Sequence, residues 1–362
     1  MSRAVDVVCY IEASQDLYAF SKLHTGLRLL AKSGEVSLRF SAPPKNQPFF
    51  CGYASTIVAI GGQGLQTRLL AVDLYDRADV FSHALLGSCD VYLKRSYYCP
   101  DVAHLRAAAR DKILPFGLNY ACRAISAPIL AAIWPGLLMG SLRAVVEGSA
   151  AMRRRKQALA QWLPSPPYRQ FEHESSLPLR PEIFFQTRLW TQAESDTEPV
   201  EPFNESRVAL VRALRKHFPK NFRGGLIPTE TARKHYPDTL TNQATRPSEY
   251  LAASKLSLIG ISTRGLHHSV PFKLPEYLAG SKCIISEPLR NALPNPLVNG
   301  REILEFDSVE HCLTLCEDIL AHPEHASELR HAAWKYYSAY VQPAAHVRNC
   351  LNTALAHPAP KT

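Results

Sequence analysis

Short apolar runs alternate with amphipathic stretches from the start of the chain. Residues 5–11 have the length and composition of a strand, and residues 17–30 repeat apolar side chains at helical spacing. Further short apolar runs, separated by polar or helical stretches, lie at 36–40, 56–60, 69–72, 91–93 and 113–116. Such runs are typical of a parallel sheet covered on both faces. The pattern predicts an N-terminal, Rossmann-like α/β domain over residues 1–117.

The same alternation begins again after a stretch rich in proline and serine at residues 163–179. It predicts three strands, at 182–189, 222–227 and 256–261. It predicts helices at 206–217, 247–254, 274–278, 310–321 and 327–340. A second α/β domain is therefore expected over residues 181–330, and a last helix and tail over 331–362.

Residues 118–180 are predicted to form a helical, basic connecting segment and linker. Residues 124–142 carry no charge, but Pro128, Pro135, Gly136 and Gly140 interrupt them. Three interpretations stay open: helices packed in or between domains, a helix at a membrane interface, or a true membrane span. The basic run from Arg153 to Lys156 favours an anionic membrane surface as a partner of residues 124–156, because cations near anionic lipid strengthen binding.

Composition agrees with two domains, because 362 residues with 46% hydrophobic and 20% charged side chains exceed one ordinary core. Nine scattered cysteines and no signal-peptide profile predict a cytoplasmic protein, with attachment to the inner face of a membrane as an option. The net charge of +9 indicates an anionic partner. Nucleic acid is not the expected partner, because the basic run lacks interleaved aromatic residues.

The most informative motif is VPFKLPEYLAGSKCII at residues 270–285. It predicts a helix start that follows a strand and a loop, where free amides and the helix dipole attract phosphate. Lys273 and Ser269 would contact that phosphate, and Glu276 would bind the hydroxyls of a ribose. Acidic residues are also common in the first turn of ordinary helices, and Lys273 has the alternative of a solvated cation.

Residues 254–320, with HHSVPFKLPEYLAGSKCIIS followed by VNGREILEFDSVEHCLTLCEDIL, resemble the C-terminal half of GT-B glycosyltransferases. The resemblance implies two facing Rossmann-like domains, with a sugar nucleotide in the second, an acceptor in the first and a last helix that returns to the first. Enzymes of this kind often carry two glutamates eight positions apart, of which the second binds the donor's ribose. Glu276 matches the second, whereas His268 stands at the first. We expect His268 to donate a hydrogen bond or carry a proton.

Other candidates follow predicted strands. Arg188 ends the first strand of the second domain, where a guanidinium could grip a diphosphate or form an ion pair with an interdomain acid. Asp16 is the candidate general base, although it is also a typical helix cap. The weaker candidates for that role are His24, Glu12, Asp73 and Asp76.

These patterns predict a hexosyltransferase that moves a sugar from a nucleoside-diphosphate sugar to a hydroxyl of a glycan or a lipid-linked acceptor. Neither a metal nor a cofactor is expected, because the chain lacks the Asp-x-Asp motif of the other main glycosyltransferase fold. The GGQG run at 61–64 lacks the remainder of a dinucleotide fingerprint and is interpreted as a turn. The alternative is a non-catalytic protein that binds sugar nucleotides or glycans.

Overall fold

A computed structural model describes residues 5–12, 15–44, 53–62, 65–123, 131, 134–135, 153, 160, 162, 165–195 and 197–358. Apart from isolated positions, residues 124–156 lie outside this part of the chain, and so do residues 63–64 of the GGQG run. The predictions of an apolar connecting segment and of a membrane surface therefore fall outside the described residues.

The chain divides into two compact units. Unit 1 comprises Met1–Tyr168, Asn291–Asn295 and Ala339–Thr362, and unit 2 comprises Arg169–Arg290 and Pro296–Ser338. Each unit has a sheet with helices packed against it. The predicted α/β class with two Rossmann-like parts is therefore confirmed.

Unit 1 contains a sheet of six strands in the order β2-β1-β3-β4-β5-β6. Its helices and strands up to residue 115 are β1 (Val5–Tyr10), α1 (Ser21–Lys32), β2 (Val36–Ser41), β3 (Ser55–Gly62), β4 (Leu65–Asp73), α2 (His83–Ser88), β5 (Val91–Lys94), α3 (Cys99–Ala103), α4 (Ala107–Arg110) and β6 (Ile113–Pro115).

The expectation of an all-parallel first sheet was wrong at one strand. β3 pairs antiparallel with both β1 and β4, whereas the other neighbours pair in parallel. Only two residues connect β3 to β4, and a connection this short makes a hairpin, since a parallel pair needs a crossover of about a dozen residues.

Unit 2 contains five parallel strands in the order β11-β10-β9-β7-β8. Its helices and strands are α5 (Tyr168–Phe171), β7 (Arg180–Thr187), α6 (Glu201–His217), β8 (Phe222–Leu226), α7 (Glu230–His235), α8 (Pro247–Lys255), β9 (Ser257–Ser262), α9 (Lys273–Ala279), β10 (Cys283–Ser286), β11 (Leu304–Glu305), α10 (Val309–Ala321) and α11 (Pro323–Tyr336). Three single 3-10 turns lie at Gln192–Glu194, Pro237–Thr239 and Leu266–His268, and a π-helical turn at Tyr337–Val341 follows α11.

A further helix, α12 (Pro343–Ala356), packs against α1 in unit 1. The sequence analysis expected a returning helix but ended the regular structure at residue 340. Pro343 begins the new helix, and the side chain of Gln342 accepts hydrogen bonds from the amides of Ala344 and Ala345. Gly26 permits the close approach of α1, because a Cβ there would lie 2.2 Å from the carbonyl oxygen of Pro343.

Candidate functional site

The carboxyl ends of β7, β9 and β10 lie side by side in the sheet of unit 2. Charged residues follow all three ends within two positions: Arg188 after β7, Arg264 after β9 and Glu287 after β10. Ligands of open α/β sheets bind outside the carboxyl ends of the strands. This edge is therefore the candidate binding edge of unit 2.

Arg207, which the sequence analysis did not select, joins two of these strand ends. Its Nη1 donates to the carbonyl of Arg188 (2.5 Å) and its Nη2 to the carbonyl of Arg264 (2.9 Å). The side chain is 5% exposed and lies against the ring of Phe203 at 4.3 Å. Among the described residues, Arg207 makes no ion pair and its Nε has no hydrogen-bond partner. Burial lowers the pKa of Arg207 to about 9, so the unliganded protein holds a costly buried cation here.

Lys273 and Glu276 lie one turn apart on α9, and both are half-buried. In the part of the chain that the structure describes, neither side chain forms a hydrogen bond or an ion pair, and the Lys273 ammonium lies 5.9 Å from the ring centroid of Tyr250. Burial, together with repulsion by Arg207, lowers the pKa of Lys273 to about 7. Burial raises the pKa of Glu276 to about 8, against the attraction of Lys273. An anion beside Lys273 and hydroxyl groups beside Glu276 would supply the missing partners.

The position of α9 depends on a glycine in the strand beneath it. A Cβ at Gly260, in β9, would lie 2.7 Å from the ring of Tyr277. The absence of a side chain at Gly260 therefore lets α9 pack directly on the sheet. This packing brings Lys273 and Glu276 to the candidate edge.

The start of α9 itself offers few free amides. The helix has seven residues, and Pro275 in its first turn has no N–H. The amides of Leu274 and Glu276 already donate to the carbonyls of Pro271 (3.2 Å) and Phe272 (3.4 Å). Pro275 and the bonded amide of Leu274 therefore reduce the number of free amides at this helix start, and charged side chains supply most of the proposed attraction for an anion.

Arg188 lies at the end of β7, as predicted, but it already has partners. Its side chain is 43% exposed, and its guanidinium forms an ion pair with Glu194 (2.7 Å) and stacks 3.6 Å from the ring centroid of Trp190. Glu194 belongs to unit 2, so the pair is not with an interdomain acid. The stacking fixes the guanidinium plane and leaves part of it exposed at the candidate edge.

The loop after β9 holds His267 and His268 in the left-handed region, with φ of 55° and 57°. Arg264 Nη1 lies 3.1 Å from Nδ1 and 3.2 Å from Nε2 of His268. Burial, followed by the neighbouring cations Arg264 and Arg290, lowers the pKa of His268. His268 is therefore neutral near pH 7 and can take part in hydrogen bonding without adding a charge.

Ser269 closes this loop and is buried. Its amide donates to the carbonyl of Leu266 (3.1 Å), and its own carbonyl accepts from the amide of Gly265 (2.8 Å). The backbone of Ser269 is thus committed to the loop. Only its hydroxyl stays a candidate for contact with a ligand.

In unit 1, Asp16 lies in the turn before α1. Its Oδ1 accepts hydrogen bonds from the amides of Tyr18 (3.0 Å) and Ala19 (3.1 Å), so Asp16 caps this turn and not α1, whose N-cap is Phe20. Burial raises the pKa of Asp16, although these hydrogen bonds oppose the shift. A raised pKa is compatible with proton transfer, so Asp16 stays a proposed base.

The weaker base candidates of unit 1 are mostly occupied. His24 is buried in the core, and burial lowers its pKa to about 3. Asp73 forms a completely buried ion pair with Lys94, and Asp76 pairs with Arg95. A general-base role for His24 or Asp73 therefore conflicts with their burial.

Metal-binding groups and membrane-spanning helices were sought among the described residues. These residues include no group of three or more His, Cys, Asp or Glu side chains that could hold a metal ion. They also include no helix whose length and hydrophobicity would let it cross a membrane.

No family model and no curated protein matches the chain. Among solved structures, the chain is similar to a glycosyltransferase from Rickettsia africae, with 12% identity over 92% of this chain and 81% of that one and a TM-score of 0.42. It is also similar to Anabaena HepE in complex with UDP and glucose, with 9% identity over 96% and 98% of the two chains and a TM-score of 0.43. An α1,3-fucosyltransferase with GDP matches at 9% identity over 99% and 93%, with a TM-score of 0.42.

Proposed function

We propose that the protein is a glycosyltransferase that moves a sugar from a nucleoside-diphosphate sugar to a hydroxyl of a glycan or lipid-linked acceptor, without a metal. The observation that carries this proposal is the pair of neighbouring cations Arg207 and Lys273, neither of which forms an ion pair among the described residues, with Glu276 one turn from Lys273. A diphosphate supplies the missing negative charge, and a ribose supplies hydroxyls for the carboxyl group.

Each residue at the edge of unit 2 has a role in this proposal. Lys273 and the exposed face of Arg188 neutralise the diphosphate as it leaves, and the Ser269 hydroxyl contributes a hydrogen bond. Arg207 holds the two strand ends and adds positive potential. Glu276 binds the ribose hydroxyls. Cations placed before the reaction stabilise the charge that develops on the leaving group at little reorganisation cost.

The proposed reaction forms one bond and breaks another. The acceptor oxygen bonds to the anomeric carbon of the sugar, and the bond from that carbon to the phosphate oxygen breaks. The nucleoside diphosphate keeps the electron pair. The acceptor's proton goes to a general base, for which Asp16 is the proposed residue, and His268 donates a hydrogen bond on the donor side. A hexose is the proposed sugar.

For the acceptor, we propose a glycan or lipid-linked intermediate at a membrane surface. The support is the sequence alone: uncharged residues 124–142 precede the basic run that ends at Lys156. Binding of the full-length protein to phosphatidylglycerol vesicles tests it. Affinity that falls steeply with salt is expected, whereas equal binding to neutral phosphatidylcholine vesicles would argue against an electrostatic contact.

Calorimetric titration of the donor site tests the main proposal. UDP, GDP, ADP and the corresponding monophosphates are titrated into the wild type and into Glu276→Gln. At pH 7 at least one diphosphate should bind the wild type, and Glu276→Gln should weaken it by about 2–10-fold, the value of hydrogen bonds between neutral groups, because a pKa of about 8 leaves Glu276 mostly protonated. Pyrophosphate, which has no ribose, should bind both proteins equally. Glu230→Gln, another first-turn glutamate but in α7, is the matched control.

A folded wild type that binds none of these nucleotides would overturn the proposal. The alternative is a protein that binds sugar nucleotides without turnover. One observation favours it: His24 and Asp73 are buried, and Asp16 caps a turn, so unit 1 offers few free bases. Nucleotide binding without hydrolysis or transfer, across a panel of donors and acceptors, would support that alternative.

A further inference from the structure

A carboxylate from outside the loop after β9 lies against its two histidines. Glu198, three residues before α6, accepts a hydrogen bond from the amide of His267 through Oε1 (2.7 Å). The same carboxylate lies 4.0 Å from Nδ1 of His267 and, through Oε2, 4.0 Å from Nε2 of His268. The segment before α6 therefore brings a carboxylate close to the two imidazoles of the loop after β9.

The two oxygens of Glu198 differ in what they contact. Oε1 is used by the backbone amide of His267, whereas Oε2 accepts no hydrogen bond within the described part of the chain. The Glu198 side chain as a whole is 27% exposed. An acid that served only to fix the loop would need only its first oxygen.

The gap between Glu198 Oε2 and His268 Nε2 fits a single hydroxyl. At 4.0 Å the two atoms are too far apart for a direct hydrogen bond. An oxygen between them can lie about 2.8 Å from each, which is the usual hydrogen-bond length. A hydroxyl in that place would donate its proton to the carboxylate and accept from Nε2–H of His268, in the tautomer in which Nδ1 accepts from Arg264 (3.1 Å). Phosphate would be repelled by the carboxylate, so the gap selects a neutral, hydroxyl-bearing group.

Contacts link this pair to the proposed diphosphate site. Arg264 lies beside His268, and its carbonyl accepts a hydrogen bond from Arg207. Arg207 in turn repels Lys273 and donates to the carbonyl of Arg188. The acid and imidazole therefore lie at one end of a connected group whose other end is cationic, and a ligand with a diphosphate and a neutral polyhydroxyl part matches both ends.

We propose that Glu198, together with His268, binds a hydroxyl of the sugar carried by the nucleoside diphosphate and so determines which sugar the site accepts. This proposal rests on the proposed function. Glu198 is separated in the sequence from the motif at residues 270–285, and no sequence pattern marks it as a ligand.

A purely structural role for Glu198 is the competing explanation. Thr197 Oγ1 lies 3.0 Å from Nδ1 of His267, so two adjacent residues hold a loop whose backbone is in a strained conformation. Glu198→Gln separates the roles, because its amide oxygen can still accept from His267 while its NH₂ cannot accept the ligand's proton. Thr197→Ala weakens the loop attachment and leaves the carboxylate in place.

The experiment compares two kinds of probe, the free nucleoside diphosphate and its sugar conjugates, on four proteins. The diphosphate that binds the wild type, UDP or GDP, is titrated beside its sugar conjugates UDP-glucose, UDP-N-acetylglucosamine, GDP-mannose and GDP-fucose. The proteins are the wild type, Glu198→Gln, Thr197→Ala and Glu201→Gln, whose substituted residue is an exposed acid at the start of α6. Glu198→Gln should weaken the preferred sugar nucleotide by about 10-fold and the free diphosphate by less than about twofold. The other two variants should change neither.

The remaining outcomes contradict the proposal in different ways. Equal weakening of both probes, or the same sugar-selective loss in Thr197→Ala, would assign Glu198 to the loop's structure. Tighter binding of the free diphosphate to Glu198→Gln would make Glu198 a competitor of phosphate. No change would remove Glu198 from the site. In each case the wild type still binds nucleotide, whereas a wild type that binds neither probe would overturn the proposed function itself.

Discussion

Buried charges lie at the carboxyl edge of both sheets, but the two units treat them differently. In unit 1, the completely buried Lys94 donates to Asp73 (3.1 Å) and to the carbonyl of Val80 (2.6 Å), and Tyr92 donates to the same carboxylate. In unit 2, the buried Arg207 donates only to carbonyls, and within the described residues it forms no ion pair. The cation of the first cluster has an acid at hydrogen-bond distance, whereas Arg207 has, among the described residues, only the more distant Glu287 as an opposite charge.

This difference separates a structural charge from a binding charge. Burial lowers the pKa of Lys94, but the adjacent Asp73 opposes the shift. Lys273 experiences burial and the repulsion of Arg207, with only Glu276 as a counterweight. In a buried ion pair the two charges compensate each other, and neither needs a ligand. A buried cation without an acid partner lowers the free energy of unfolding, and a bound anion would offset that cost. Binding of an anionic ligand would then raise the stability of unit 2.

The largest effect is expected in unit 1. Asp73→Asn should lower the free energy of unfolding by about 3–5 kcal/mol, because it leaves the Lys94 ammonium buried without an opposite charge. Urea unfolding followed by circular dichroism measures this loss. Asp79→Asn removes an exposed partner of Arg77 and should cost less than about 1 kcal/mol. A similar, small cost for both variants would show that the unit 1 pair is not structurally important.

Arg207→Met tests whether the buried cation of unit 2 contributes to anion binding, in contrast to the stability role of the unit 1 pair. Nucleoside-diphosphate affinity should fall by about 10-fold, because the site loses a positive charge beside Lys273 and the bridge between the ends of β7 and β9. Arg207→Lys, which keeps the charge but cannot bridge both carbonyls, should recover part of it. Calorimetric titration with pyrophosphate gives the same comparison without the nucleoside. Unchanged pyrophosphate affinity in Arg207→Met would show that the buried Arg207 does not contribute to anion binding.

The pH dependence of binding follows from two shifted groups. Lys273 loses its proton as the pH rises through about 7, and Glu276 loses its own through about 8. Both steps make the empty site more negative, so diphosphate affinity should fall by at least about tenfold between pH 7 and pH 9. The ligand's own phosphate, with a second pKa near about 6, is already ionised in this range. Affinity that stays constant or rises would contradict the assigned directions.

Much of the fold could be predicted because local patterns determine it. The alternation of apolar runs identified most strands, and the motif at 270–285 identified Lys273 and Glu276 before any contact was known. The antiparallel β3 was missed because strand direction depends on the length of the connection to β4, which apolar runs do not report. The returning helix was expected, but its bounds were not, because the pattern did not mark Pro343 as a helix start.

The two proposed site residues that the sequence patterns did not predict, Arg207 and Glu198, have partners far away in the sequence. Arg207 left one signal: it stands with Phe203, Leu210 and Leu214 on the buried stripe of α6, where a cation is out of place. Glu198 left none, because an acid just before a helix is favourable in any protein. Its contact with His267 joins residues 69 positions apart and exists only once the sheet has brought the two loops together.

The contrast between the units is tested most directly by the thermal unfolding of the wild type and Lys273→Met, without nucleotide and with a saturating concentration of the diphosphate that binds the wild type. Methionine keeps much of the length of the side chain and removes the charge. Without nucleotide, the variant should be more stable by about 0.5–2 kcal/mol, as is common when a functional site loses an unfavourable group. With nucleotide, the wild type should become the more stable protein, because only it gains binding energy from the paired charge. A variant that is less stable than the wild type without nucleotide would show that Lys273 stabilises the fold, and would contradict the view that the cations of unit 2 await an anion.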